Sequence, residues 1–250
     1  MAKLASSAGE RRKRGLTVLD GAHLVGAFVD ARHKVESVMV SRSALEREEV
    51  ARIVSRVPAS AVTVLADKLF GALSTVDSAT GILAAVPAPV GTAIPPDADL
   101  VLLLEDVQDP GNVGTLMRSA TAAGARHMGL SPGCAFAWSL KTVRAGMGAH
   151  FALNIVEGFD IAGFLDTYRG TSVALAGGTA RSLYELDLRA PVAFVVGNEG
   201  AGLSAAIRAR AKVAARIPMP GTAESLNAAV AGSLAIFEAL RQRDRSVGKE

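Results

Sequence analysis

The chain has 250 residues, half of them apolar, with a formal net charge of +3. This length suits one large domain or two modest ones, and the single cysteine, Cys134, excludes a disulfide framework and a thiolate zinc cluster. The histidines lack metal-ligand spacing, no apolar run approaches a membrane span, and the first residues carry no apolar signal segment. We therefore expect a cytoplasmic protein with no metal, disulfide or membrane anchor.

The first half of the chain predicts a small layered α/β domain behind a basic lead. Residues 1–15 are predicted to be a disordered basic lead, and basic residues outnumber acidic ones up to residue 34. The alternation of strands and helices predicts a domain over residues 16–88. Strands are predicted at 16–19, 35–40, 62–65 and 81–86, and helices at 21–31, 45–56 and 67–73.

A proline-rich linker, residues 89–98, separates this domain from a second α/β domain at residues 99–250. The unbroken apolar run Leu100–Leu104 is typical of a strand buried on both faces of a parallel sheet. Further strands are predicted at 127–130, 151–156, 173–176, 192–196 and 213–217, and helices at 113–123, 140–147, 161–167, 204–209 and 225–243. The last helix carries an apolar stripe made of Leu226, Val230, Leu234, Phe237 and Leu240.

The first segment with chemical potential follows the Leu100–Leu104 strand. Open α/β sheets place their ligands at the carboxyl ends of such strands. Asn112 is predicted to cap the next helix, and Arg118, in the second turn of that helix, can reach back toward the loop. Taken alone, this segment is better explained as a capped helix with a surface arginine.

The second segment is a glycine-rich loop after the strand 192–196. Gly197, Gly200 and Gly202 would let the backbone approach a ligand closely. Their order differs from the dinucleotide-binding fingerprint, and no Walker lysine is present. This loop therefore argues against a nucleotide-binding oxidoreductase but is weak by itself.

The third segment is an apolar, proline-punctuated loop before the last helix. Ser225 is predicted to be the N-cap of that helix. Ile217, Met219 and Leu226 could line an apolar slot for a flat ring, or could belong to the core. This segment by itself does not decide between these alternatives.

Together, the three segments resemble the three motifs of the SpoU (TrmH) family of RNA ribose methyltransferases. The resemblance covers about residues 100–245. The matching pieces are Asp109–Gly114 with Arg118, then Gly197–Leu203, then Ile217–Met219 with Ser225–Asn227. Their shared order and spacing are far more specific than any one segment.

The resemblance implies a fold and partners that the composition does not. It implies an α/β domain with a deep C-terminal trefoil knot, S-adenosyl-L-methionine as the cofactor, and a homodimer formed through the knotted domain. The first half resembles, more weakly, the small α/β RNA-binding domain of many members, through Leu19–Val25 and the strand 35–40. This two-domain architecture favours large-subunit ribosomal RNA over transfer RNA. A non-catalytic RNA-binding relative is a further alternative, and the target nucleotide and a role in antibiotic resistance stay open.

The resemblance also implies roles for individual residues. Arg118 would either deprotonate the ribose hydroxyl or bind a phosphate and stabilise negative charge, and we leave both open. The implied catalytic residues are Arg118, Asn112, Glu199, Ser225 and Asn227. The implied cofactor-binding residues are Gly177, Gly197, Asn198, Glu199, Gly200, Ile217, Met219 and Leu226. The basic residues expected to contact RNA are Arg11, Arg12, Lys13 and Arg14.

Overall fold

The computed structural model describes residues 1–74 and 80–244, and the chain forms two compact units. Unit 1 comprises Met1–Pro89 with Trp138–Phe151, and unit 2 comprises Val90–Ala137 with Ala152–Glu250. The predicted domains also included residues 75–79 and 245–250, which lie outside the described residues. The mixed α/β fold is confirmed for each unit.

The boundary between the units differs from the predicted one, because residues 138–151 belong to unit 1. The buried Thr17 hydroxyl donates a hydrogen bond to the Trp138 carbonyl oxygen at 2.9 Å. The Phe151 ring meets the Phe28 ring edge-on, with centroids 5.0 Å apart. These long-range contacts place the segment with the first half of the chain, and the strand and helix periodicity did not reveal them.

Unit 1 is built on a four-stranded sheet with the order β1-β4-β2-β3. Strand β4 is antiparallel to β1 and β2, whereas β3 is parallel to β2. The strands are β1 Leu16–Asp20, β2 Ser37–Ser41, β3 Val62–Leu65 and β4 Ile82–Pro87, and the helices before residue 90 are α1 Ala2–Ser6, α2 Ala8–Arg14, α3 Ala22–Asp30, α4 Glu48–Val54 and α5 Asp67–Gly71. A short 3-10 helix, Ser43–Glu46, precedes α4 where one continuous helix was predicted.

The predicted disordered lead is instead helical. Ser7 caps α2 by accepting a hydrogen bond from the Glu10 amide, and Gly15 ends that helix in the left-handed conformation. Leu4 is buried and packs into the apolar core of unit 1. This burial offsets the entropy lost on ordering the lead. The prediction of disorder was wrong because it relied on the basic charge of the segment and gave no weight to the apolar Leu4.

Unit 2 is built on a six-stranded, entirely parallel sheet with the order β10-β8-β9-β5-β6-β7. Every residue of β5 and β9 is buried, as the unbroken apolar runs predicted. The strands are β5 Leu100–Leu104, β6 His127–Leu130, β7 Asn154–Glu157, β8 Thr171–Leu175, β9 Val192–Val196 and β10 Val213–Ala215. The helices are α6 Pro110–Ala122, α7 Leu140–Gly146, which lies in unit 1, α8 Ile161–Thr167, α9 Ala205–Arg210 and α10 Ala228–Arg243.

Helix α10 packs against α6 and β9. Gly232 allows this close approach, because a Cβ atom there would collide with the Leu116 side chain. The Ser233 and Ser119 hydroxyls form a hydrogen bond of 2.7 Å across the two helices. Within residues 1–74 and 80–244, no helix is both long and apolar enough to cross a membrane.

Candidate functional site

The loops that leave the carboxyl ends of β5, β8, β9 and β10 meet at one edge of the parallel sheet, since parallel strands all end on the same side. A cavity of about 370 Å³ opens there within unit 2. Its walls come from the loops after β8, β9 and β10 and from the start of α10. The site is therefore built from chain segments that are far apart in sequence.

All eight residues predicted to bind the cofactor line this one cavity. They are Gly177, Gly197, Asn198, Glu199, Gly200, Ile217, Met219 and Leu226. Ser225, predicted to be catalytic, lines it as well. Asn112, Arg118 and Asn227 are not among the lining residues, although Asn112 and Asn227 join the polar groups at its margin through hydrogen bonds.

Glycines shape the cavity in two different ways. At Gly177 an added Cβ atom would meet nothing within 4 Å, so open space adjoins the backbone. At Gly197 a Cβ atom would collide with the backbone of Gly202, so this glycine allows the two arms of its loop to touch. Gly202 itself has a φ of 68°, a conformation that favours glycine. Gly177 thus leaves room for a ligand, whereas Gly197 and Gly202 are needed for their loop to fold.

Asn198 holds the glycine loop in shape. Its side-chain oxygen accepts hydrogen bonds from the backbone amides of Gly200 and Ala201, both at 2.9 Å. Its side-chain nitrogen donates to the Asp106 carbonyl oxygen at 2.8 Å. The amide of Asn198 therefore ties the loop after β9 to the loop after β5.

Glu199 is held as a carboxylate by three donors. It accepts hydrogen bonds from the backbone amides of Gln108 and Asp109, each at 3.2 Å, and from the Asn112 side-chain nitrogen at 2.9 Å. Burial acts to raise the pKa of Glu199, but these hydrogen bonds together outweigh it and lower the pKa. Glu199 is thus an anionic clamp between two loops at neutral pH.

Asn112 extends this clamp to the third loop. Its side-chain oxygen accepts a hydrogen bond from the Asn227 side-chain nitrogen at 3.0 Å. The chain of contacts Glu199–Asn112–Asn227 therefore joins the three segments that the sequence analysis singled out. We call it the amide bridge.

The helix caps differ from those predicted from the sequence. Asp109, rather than Asn112, caps α6 by accepting a hydrogen bond from the Asn112 amide at 2.9 Å. Asn227, rather than Ser225, caps α10 by accepting from the amides of Ala229 and Val230. In both cases a second good capping residue lay within three positions, and the sequence alone did not decide between them.

Arg118 lies apart from these groups. It is exposed in the middle of α6, does not line the cavity, and among the described residues forms no hydrogen bond or ion pair. The predicted reach back toward the loop after β5 is not seen. The guanidinium is instead presented to solvent.

The basic residues predicted to contact RNA are not equivalent. Arg11 is only 6% exposed and donates to the Leu4 carbonyl oxygen at 2.6 Å, so its side chain packs inside unit 1. Arg12, Lys13 and Arg14 are exposed on α2.

Three charged residues that line the cavity were missed by the sequence analysis: Arg208, Arg216 and Glu224. Arg216 directly precedes Ile217, and Glu224 directly precedes Ser225, so adjacency to a recognised segment was an available signal. Arg208 offered no such signal. Of the described residues, no group of three or more His, Cys, Asp or Glu could hold a metal ion.

A parallel α/β sheet with a glycine-rich loop and a cavity at its carboxyl edge defines a ligand-binding α/β domain. The family model described as the SpoU rRNA Methylase family matches residues 99–237. The chain belongs to this family, and the resemblance seen in the sequence is confirmed.

Named relatives of the chain are ribosomal RNA methyltransferases. The 23S rRNA (guanosine(2553)-2′-O)-methyltransferase RlmP of Bacillus subtilis is 30% identical over 91% of this chain and 90% of its own length. The 23S rRNA (guanosine-2′-O-)-methyltransferase RlmB of Xylella fastidiosa is 40% identical over 58% of this chain and 59% of its own length. The similarity to RlmP spans both units, whereas that to RlmB covers a shorter part of each chain.

A solved structure extends the similarity to almost the whole chain. The SpoU methyltransferase AviRb from Streptomyces viridochromogenes, crystallised in complex with AdoMet, is 25% identical. It matches with a TM-score of 0.87 over 98% of this chain and 96% of its own.

Proposed function

We propose that this chain transfers the methyl group of S-adenosyl-L-methionine to a ribose 2′-hydroxyl of large-subunit ribosomal RNA. The observation that carries the proposal is the meeting of eight residues, singled out from the sequence, around one cavity. The named activities of RlmP and RlmB and the AdoMet complex of AviRb support the same reaction and substrate class.

The cavity fits the cofactor in size and in chemistry. Its volume of about 370 Å³ is that of a small-molecule site. Ile217, Met219 and Leu226 offer apolar surface to the adenine ring, and the backbone at Gly177 and Gly200 leaves room for close approach. When bound, the cofactor supplies a methyl group already activated by its sulfonium, so no metal is needed.

The protein must then orient the ribose and assist loss of the hydroxyl proton. We propose that the amide bridge of Glu199, Asn112 and Asn227 fixes the loops that present the ribose to the cavity. Because three donors already occupy Glu199, we assign it to positioning rather than to proton transfer. Ser225 contributes a hydroxyl to the same cavity.

Arg118 has a different proposed role. A guanidinium keeps its proton under ordinary conditions and is a poor base, whereas it binds phosphate and stabilises negative charge well. We assign Arg118 to the RNA backbone beside the target ribose, where it stabilises the developing alkoxide. Its exposure and its lack of partners among the described residues support this assignment.

Two finer features of the fold belong to the same proposal. The trefoil knot implied by the family would pass the loop after β10 beside the loop after β9, and the cavity lined by both loops supports it. A homodimer would cover the apolar face of α10, where Val230, Leu234 and Phe237 are 47%, 39% and 44% exposed. Such a row of apolar side chains on one helix is typical of an interface.

Unit 1 is proposed to bind RNA through α2. Arg12, Lys13 and Arg14 lie on this helix, and contacts of this kind supply affinity for phosphate without reading sequence. A ribosomal RNA substrate agrees with the expected cytoplasmic location, which stays a prediction.

The test is methyl transfer from labelled S-adenosylmethionine to unmodified ribosomal RNA and, separately, to transfer RNA. We expect label in ribosomal RNA at one position that resists alkaline cleavage. Arg118→Ala should abolish the label, whereas Thr115→Ala, an exposed position on the same helix, should retain it. Label in transfer RNA alone would overturn the assignment of ribosomal RNA as the substrate. Absence of cofactor binding would favour a non-catalytic RNA-binding relative.

A further inference from the structure

Two arginines of the cavity have no part in the transfer described above. Arg208 lies in α9 and Arg216 directly follows β10, and both line the cavity. Within residues 1–74 and 80–244, neither side chain forms an ion pair or a hydrogen bond. Glu224 lines the same cavity without pairing with either of them. The cavity therefore carries two positive charges that the protein leaves available.

The helix that carries Arg208 is anchored at its start by a carboxylate that directly follows β5. Glu105 accepts hydrogen bonds from the Ser204 amide at 2.8 Å and from its hydroxyl at 2.6 Å. Ser204 in turn caps α9 through the Ile207 amide, and Ile207 is buried. Because Arg208 directly follows Ile207, the capped start of α9 fixes the backbone position of Arg208.

The neighbouring Arg210 lies on the same helix but forms an ion pair. Its guanidinium pairs with the Asp166 carboxylate at 3.6 Å, and it does not line the cavity. The two arginines are two positions apart on one short helix, yet among the described residues only Arg210 has an acidic partner. Arg210 is therefore a matched control for Arg208.

Arg216 is half-buried and its backbone is locked on both sides. Its amide donates to the Arg181 carbonyl oxygen at 2.9 Å, and its carbonyl oxygen accepts from the Leu183 amide at 2.8 Å. A partly desolvated guanidinium without an anion is unfavourable. Its position in the cavity wall therefore favours a ligand that brings negative charge.

We propose that Arg208 and Arg216 form an oxyanion-binding pair. The inference rests on the proposed function, whose reactants supply two such groups: the carboxylate of the cofactor's methionine moiety and a phosphate of the RNA. Both present oxygens that a guanidinium can bind in a bidentate, charge-assisted manner. The pair would hold one end of its ligand while the apolar wall holds the adenine.

The experiment compares two nucleosides in titration calorimetry. S-adenosylmethionine carries the carboxylate, whereas methylthioadenosine keeps the adenosine and the sulfur but lacks the amino-acid part. We expect Arg208→Gln and Arg216→Gln to weaken S-adenosylmethionine binding roughly tenfold to a hundredfold. Methylthioadenosine binding should stay unchanged, and Arg210→Gln should change neither. This outcome would assign the pair to the cofactor carboxylate.

A second arm measures binding of a ribosomal RNA fragment at several salt concentrations. Unchanged cofactor binding with weaker RNA binding and a shallower salt dependence would assign the pair to a phosphate. Equal weakening of both nucleosides, or no change in any ligand, would overturn the oxyanion site. Thermal melts check folding, and Arg208→Gln, at an exposed position, keeps the test valid if Arg216→Gln unfolds.

Measurements on the wild-type protein distinguish a failure of the oxyanion pair from a failure of the proposed function. If it binds no S-adenosylmethionine, the proposed function fails. If it binds the cofactor and methylates RNA while both arginine variants behave as wild type, only the oxyanion pair fails.

Discussion

In both sheets, strands that run in the same direction end at one edge, but this edge is open in unit 2 and closed in unit 1. In unit 2, the carboxyl edge of the parallel sheet opens into a cavity lined by the loops after β8, β9 and β10. In unit 1, β1, β2 and β3 also run in one direction, since β1 and β2 are both antiparallel to β4 and β3 is parallel to β2. There, the 3-10 helix Ser43–Glu46 closes the edge, with Ala44 fully buried against Gly81. Parallel strands gather loops, but the side chains of those loops decide whether a site results.

The polar groups at the two edges link different numbers of chain segments. Asp67, which follows β3, accepts hydrogen bonds from the amide and the hydroxyl of Ser43, which follows β2. The amide bridge in unit 2 links three loops through Glu199, Asn112 and Asn227. Asp67 joins two neighbouring loops at a closed edge and serves stability, whereas the amide bridge joins three loops beside a cavity and sets the geometry of a site.

The sharpest test of this contrast removes one polar group from each edge. Asn112→Ala breaks the amide bridge and should lower kcat/KM for methyl transfer roughly 10²-fold or more, because the ribose is then poorly oriented. Asp67→Ala should leave transfer per folded molecule unchanged. Methyl-transfer kinetics at matched folded concentration give both values, and equal losses would contradict the contrast.

The closed edge predicts a large effect on stability instead. Gly81 has a φ of 84°, and a Cβ atom there would collide with Ala44. Gly81→Ala should therefore lower the free energy of unfolding by about 2–4 kcal/mol, from backbone strain and overpacking together. Gly71→Ala, where an added Cβ meets nothing within 4 Å, is the control and should not destabilise. Urea unfolding measures both, and indistinguishable midpoints would argue against a closed edge.

The open edge should tolerate an added side chain and lose binding. Because a Cβ atom at Gly177 meets nothing within 4 Å, Gly177→Val should occupy cavity space, and we expect roughly tenfold weaker S-adenosylmethionine binding and little change in Tm. Gly221→Val, at another glycine with open surroundings outside the cavity lining, should bind normally. A lower Tm for Gly177→Val alone would show that this space is needed for folding rather than for a ligand.

The smallest expected effect concerns pH. Because the pKa of Glu199 is lowered from its ordinary value of 4.5, its contribution to stability is present above that pH and is lost as the pH falls through the depressed pKa. Glu199→Gln should therefore lower Tm slightly near neutral pH, and the difference from wild type should shrink in acid. A pH series of thermal melts checks this, and a difference that stays constant down to acid unfolding would contradict it.

Local pattern in the sequence determined much of this protein. The apolar runs of β5 and β9 predicted central parallel strands, because such runs are stable only when both faces are covered. The order and spacing of three polar segments identified the family, and the parallel sheet then brings the loops that carry them to one edge. The strands could be predicted because each is a run of neighbouring residues, and the family could be identified because each of the three segments is a short motif.

Tertiary structure alone decided which of several suitable residues takes each role. Asn227 rather than Ser225 caps α10, Leu4 orders the basic lead and draws Arg11 into the interior, and residues 138–151 pack with unit 1. Arg208 lines the cavity while Arg210 pairs with Asp166. Each outcome depends on which distant surface a side chain meets, and that information lies in the packing of the loops and helices rather than in local periodicity or charge.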